Sequence, residues 1–228
     1  DSIAGLFAVG LAPRGSADPF ALRRAAIGIV QNLIAARRSF SLRHGLEQAG
    51  RLLPVPMSTD ALNSAHAFIV ERARQQLLDE GFRYDVIDAV LAEQGDDPWR
   101  ARLNVAQLSE WTRREDWSTL LAAYARCARI IKSARQEAPF KLDSAYQDPE
   151  PAAQELTAAL EALPPAPSQD IDALMNCLSR LVGPITTFFD RVLVMAEEEI
   201  VRRSRLALVG RVVALAGGLA DLSKLEGF

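Results

Sequence analysis

The chain has 228 residues, 49% of them hydrophobic, and a formal net charge of −3. That is enough apolar material for a buried core, yet the apolar runs are short and broken by charge, which excludes a bilayer-spanning helix. Two cysteines, Cys127 and Cys177, and two histidines, His44 and His66, match no zinc or disulfide framework and suit a reducing compartment. No targeting peptide is visible. The text starts at Asp1 in mid-pattern, with Ile3, Leu6, Phe7 and Val9, and reads as a piece of something longer.

In chain order, helices are expected near 18–37, 41–50, 58–79, 83–93, 98–113, 116–136, 149–162, 169–182, 184–196 and 198–217, the last two as a pair or as one bent helix. Asp-Pro pairs at Asp18-Pro19, Asp97-Pro98 and Asp148-Pro149 mark starts, because Asp accepts first-turn N–H groups and Pro at the first position loses no needed donor. Gly81 marks a left-handed stop, and Gly183-Pro184 reads as one helix ending and another beginning. Ile185, Phe188, Phe189, Val192, Leu193 and Ala196 keep a helical period, as do Phe82, Val86, Ile87, Val90 and Leu91. Sustained period-two alternation is absent, so the expected fold is an all-α helical bundle. Proline-bearing breaks fall at 51–57 and 163–168. The first divides the chain into segments 1–52 and 53–228; the second reads as a solvent loop within a bundle.

No Gly-rich phosphate loop, nucleophile elbow or metal-ligand spacing is present, so a catalytic role is not expected of this chain. The run Glu197, Glu198, Glu199 precedes Arg202 and Arg203 at the spacing of helix-surface ion pairs. Net acidity argues against DNA or RNA binding, but the charge is segregated. Residues 113–141 hold seven basic groups (Arg113, Arg114, Arg126, Arg129, Lys132, Arg135, Lys141) against three acidic ones, and 143–172 holds seven acidic groups and no basic one. Arg126, Arg129 and Lys132 step by three along one helix, and Arg202, Arg203 and Arg205 share a turn with Ser204. Rows of this kind clamp phosphates or stack on unpaired bases; equally, they pair with nearby carboxylates and keep a protein soluble. Phe188, Phe189 and the cluster Trp99, Trp111, Trp117 read as packing.

Four blocks in order carry a family resemblance. Residues 5–28, with Gly15 to Arg24 their most specific stretch, are followed by Glu80 to Leu91, Phe188 to Glu197, and Arg203 to Leu208 with Ala220 to Leu225. They resemble the β subunit of bacterial-type glycyl-tRNA synthetase, most closely its carboxy-terminal part. The chain departs from the family's usual pattern at Arg14, Ala17, Ala125-Arg126, Arg129 and Ser204, where the family has Thr, Lys, a Lys-Arg pair, a nearby Asn, and Asn.

The resemblance implies the end of an HD-like helical domain over 1–52 and a DALR-like anticodon-binding domain over 53–228. It implies recognition of tRNA(Gly), with partnership to an α subunit in an α2β2 or fused assembly. No cofactor is expected in this piece; ATP and Mg belong to the α subunit. The implied setting is the cytoplasm, or an organelle, with no membrane or DNA partner. Arg202, Arg203, Ser204, Arg205, Arg126, Arg129 and Lys132 are the expected RNA-binding residues, basic groups holding phosphates and polar ones reading cytosine edges. The alternative is a subunit-docking helical module, centred on 18–50, without RNA contact.

Overall fold

The structure, a computed structural model, describes residues 1–13, 17–134, 146–164 and 170–228. The expectations for Arg14, Gly15, Ser16, Arg135 and Lys141, the end of the 116–136 helix and most of the 163–168 loop lie outside the described residues. Every extended run of regular structure among the described residues is helical, as the alternation-free sequence requires.

The chain divides into two compact units, 1–106 and 107–228. The boundary expected at 52/53 falls inside the first unit. Pro54 and Pro56 do end a helix, but Leu53 and Met57 on either side pack against the same core. A break in hydrogen bonding is therefore not a break in burial.

The first unit holds α1 (Ser2–Ala8), α2 (Leu22–Ala35), α3 (Leu42–Arg51), α4 (Thr59–Asp79), α5 (Tyr84–Gln94) and the start of α6 (Pro98–Trp111). α4 is its axis, packed by α1, α2, α3 and α5, and it buries Ala65, Ile69, Ala73 and Leu77, one residue in every four. Ser58 caps it by accepting the Ala61 N–H at 3.1 Å, and Gly81 at φ +91° closes it in the left-handed region. α1 was not among the expected helices, although its apolar spacing was visible. α2 starts three residues after Pro19, because Asp18 reaches across a turn to accept the Leu22 and Arg23 N–H groups at 2.8 and 2.9 Å.

The second unit holds the rest of α6, α7 (Trp117–Ser133), α8 (Pro151–Glu161), α9 (Ile171–Arg191), α10 (Glu199–Ala214) and a 3-10 turn, Leu222–Lys224. α9 packs against α8 and α7, and α10 against α7 and α8. Gly183-Pro184 does not divide a helix: α9 runs straight through Pro184. A helix-interior proline costs about 3 kcal/mol. The unbroken buried stripe Leu174, Leu178, Leu181, Ile185 and Phe188 outweighs that, at about 1.5–3 kcal/mol for each fully buried side chain. The helix stops instead at Arg191, where the chain turns extended. Val192 and Val194 point inward while Leu193 and Met195 stand 70% and 43% exposed, so the helix expected over 184–196 is instead the end of α9 followed by a non-helical segment, and α9 and α10 are not one bent helix.

Both cysteines are buried and free. Burial pushes the Cys127 thiol up to about 12, against a smaller opposing pull from Arg126, so it stays protonated and unreactive near neutrality. Iodoacetamide at pH 8 is expected to leave Cys127 unmodified in the folded protein and to label it in urea, read by peptide mass. Phe188→Ala should lower the unfolding free energy by about 3–5 kcal/mol in chemical denaturation. Phe189→Ala, at a partly exposed position, should cost well under half of that.

Candidate functional site

The seven expected site residues all lie in the second unit, on α7 and α10, but the structure sorts them into two groups. The first is structural. Arg205 is 8% exposed and uses every guanidinium nitrogen: Nε and Nη2 donate to the Asp148 carboxylate at 2.7 and 3.0 Å, and Nη1 donates to the Leu193 carbonyl at 2.9 Å. Arg202 donates from Nη1 to the Ala196 and Glu197 carbonyls at 2.9 and 3.2 Å. Two guanidinia of α10 thus hold the main chain of the segment that leads into their own helix.

Burial favours the neutral form of Asp148, but the hydrogen bonds from Arg205 and from the Glu150 N–H prevail, and its carboxyl titrates below the usual carboxylate range. The hydrogen bonds to Asp148 likewise raise Arg205, against a smaller cost of burial.

The second group faces solvent. Arg126 sits with its guanidinium carbon 4.5 Å from the centre of the Phe189 ring, donates to the Phe189 carbonyl at 3.2 Å, and makes a long contact of 3.4 Å with Asp190. Arg129 lies 5.5 Å from the centre of the Phe228 ring. Lys132 is exposed in the last turn of α7. Arg203 is exposed and 3.5 Å from Glu199, the ion pair expected from the spacing.

Ser204 belongs to neither group. It is 8% exposed and, with Arg205, lines a cleft of about 480 Å³ bounded by Tyr146, Asp148, Gln154, Thr157 and Glu161. Of the seven expected residues, Arg205 and Arg202 are thus engaged by internal acceptors, whereas Arg126, Arg129, Lys132 and Arg203 lie on exposed surface. Those acceptors were the part that sequence reading missed. Asp148 is 57 positions from Arg205, and the Leu193 and Ala196 acceptors are main-chain atoms that no residue type announces. No group of three or more His, Cys, Asp or Glu able to hold a metal occurs among the described residues, and no described helix is long and apolar enough to cross a membrane.

Comparison with known proteins decides the family. The glycyl-tRNA synthetase beta subunit pattern matches residues 1–92, and the DALR anticodon binding domain pattern matches residues 120–222. The chain is 34% identical, over 99% of its length, to the glycine–tRNA ligase beta subunit of Moorella thermoacetica, and 32% identical, over 100%, to that of Rhodospirillum centenum.

The chain belongs to the glycyl-tRNA synthetase β-subunit family.

It is also 31% identical, over its whole length, to the chloroplastic/mitochondrial glycine–tRNA ligase 2 of Arabidopsis thaliana. It spans about a third of the two bacterial relatives (34% and 33%) and 22% of the plant protein. The DALR match covers α7 to α10, the elements that carry every site residue named above.

Removing Asp148 strands a buried guanidinium, and breaking a buried pair from one side costs about 3–5 kcal/mol. Asp148→Ala should show that loss in denaturant melts. Because the folded carboxyl titrates below its unfolded value, the pair's contribution is complete above the unfolded carboxylate range, near pH ~4. It disappears as pH falls through the lowered folded value. An acid titration of wild type should therefore lose stability below pH ~4 in a step that the Asp148→Ala variant lacks.

Proposed function

We propose that the second unit binds the anticodon stem-loop of tRNA(Gly) and thereby supports aminoacylation by an α subunit, in an α2β2 or fused assembly. ATP and Mg then belong to the α subunit, this chain performs no chemistry itself, and the setting is the cytoplasm or, as for the plant relative, an organelle.

The observation that carries the reading is the outer face of α7. Arg126 and Arg129 lie against the Phe189 and Phe228 rings, and Lys132 continues the row into solvent. An arginine held over an aromatic face is oriented by the ring quadrupole while N–H groups at its edge stay available to an acceptor. Such a row contributes phosphate contacts, which give affinity and register without sequence. Arg203 on α10 is the remaining exposed cation of the expected set. Arg202 and Arg205 act one step back, by shaping the segment between α9 and α10.

Fluorescence anisotropy with a labelled glycine anticodon stem-loop tests the reading. Log affinity should fall linearly with log salt. The Arg129→Ala/Lys132→Ala double variant should reduce the slope by roughly 1.4–1.8, the loss of two phosphate contacts, with an unchanged melting temperature. An unaltered slope and affinity in that variant would remove α7 from the interface.

A subunit-docking role has its own observation in the first unit. Ile27 and Phe40 are 39% and 44% exposed, and Ile29, Leu33, Phe40, Leu42, Leu46 and Ile69 line an apolar depression of about 350 Å³. If that surface receives the α subunit, Phe40→Asp should abolish co-purification with the α subunit while leaving stem-loop affinity intact.

A further inference from the structure

The apolar depression on the first unit carries a charge signature of its own. Residues 19–46 build α2, the turn after it and the start of α3, and they contain Arg23, Arg24, Arg37, Arg38 and Arg43 but no Asp or Glu. Arg37 and Arg38 stand exposed in the turn between α2 and α3, just ahead of Phe40, and pair with no carboxylate among the described residues. The two carboxylates that reach this turn are already engaged. Asp97 accepts from the Ser39 hydroxyl and the Arg100 N–H. Asp96 accepts the Arg43 N–H at 2.7 Å and meets the His66 ring at 3.0 Å.

The backbone at Arg37 is a second, independent sign. Helices α1, α2 and α4 close in the same way, with one left-handed residue whose successor donates its N–H back into the last turn. The bonds run from Leu11 to the Leu6 carbonyl, from Arg38 to Leu33 and from Phe82 to Leu77, at 2.8, 3.2 and 3.2 Å. At α1 and α4 the left-handed residue is glycine, Gly10 and Gly81; at α2 it is Arg37, at φ +51°. That conformation disfavours an L side chain, and glycine is its ordinary occupant. Strain kept at a surface arginine points to a use for its guanidinium.

The turn also borders the depression directly. Leu33, which accepts the Arg38 N–H, is one of its lining residues. The Phe40 ring takes the space that a Cβ at Gly45 would need, 2.6 Å from the nearest ring carbon. The ring therefore rests on the α3 backbone and stays 44% exposed. Of the lining residues only Asn32 has a polar side chain, and a volume of about 350 Å³ suits an anchor side chain rather than a domain.

The geometry points to an acidic segment of the α subunit as the occupant, with one apolar side chain in the depression and flanking carboxylates facing Arg37 and Arg38. The assignment rests on the docking reading above and adds the chemistry of the docked segment. An apolar anchor in a pocket supplies most of an interface's binding energy, while rim charges set encounter rate and partner choice. An RNA strand would meet the same arginines, but the depression offers its bases a single polar side chain.

The test titrates the full-length β subunit with purified α subunit, with melting temperature and anticodon stem-loop affinity measured beside it. Arg37→Glu/Arg38→Glu should weaken α-subunit binding at least about ten-fold at low salt, and the gap from wild type should narrow as salt rises. Arg37→Gly should weaken binding about three-fold while leaving the melting temperature equal or higher, a combination that a purely structural arginine does not give. Neither variant should change stem-loop affinity. If Phe40→Asp abolishes α-subunit binding but charge reversal leaves it intact, the acidic segment is refuted and docking stands. If all three variants bind the α subunit as wild type does, both readings fall. If charge reversal lowers stem-loop affinity and spares the α subunit, the surface meets RNA and the proposal is overturned.

Discussion

The second unit is organised around one buried ion pair. Arg205 reaches from α10 to Asp148, just ahead of α8, and to the Leu193 carbonyl, just after α9, so a single guanidinium fixes three segments that the chain brings together from far apart. Two charges out of water are a poor source of stability unless geometry and hydrogen bonding are complete. Here the fork is bidentate, the third nitrogen is occupied, and Asp148 also accepts the Glu150 N–H. The pair's value is positional. It sets the entry angle of α8, the exit of α9 and the wall of the cleft between α8 and α10.

The same residue type performs two tasks according to what lies behind it. Where a guanidinium faces main-chain oxygen and a buried carboxylate, it becomes part of the framework. Where it faces an aromatic ring at the surface, as at Arg126 and Arg129, it is held in place yet remains open to solvent. Net charge of −3 thus says little about which surface a nucleic acid would meet. The acidic run that follows α7 in sequence supplies the partner of Arg205 and the rim of the cleft, while the basic row stays on α7 itself.

Much of the fold was legible because helix punctuation is local. The helix starts expected near 58 and 169, where Ser58 and Asp170 turn out to be the caps, the Gly81 stop and the Asp97-Pro98 start are each decided within a turn or two of chain. Gly183-Pro184 misled because a local rule met a longer-range one: the apolar stripe of α9 continues on both sides, and burial against α7 and α8 overrides the missing N–H. The candidate site was legible only by residue type. Spacing placed Arg126, Arg129 and Lys132 on one helix, and the structure keeps them there. Spacing also grouped Arg202 and Arg205 with Ser204, but the two guanidinia reach main-chain carbonyls and a carboxylate 57 residues away, partners that no periodicity encodes.

Besides its two inward valines, the stretch joining α9 to α10 is gripped through its peptide oxygens: Leu193 by Arg205, Ala196 and Glu197 by Arg202. Backbone acceptors are common to every amino acid. The outward side chains at 193, 195 and 197 can therefore be exchanged without loosening the grip, whereas Arg202 and Arg205 cannot. The fold thereby separates the holding of a surface from its lettering, and leaves a rigid mount on which a different outward text can be written.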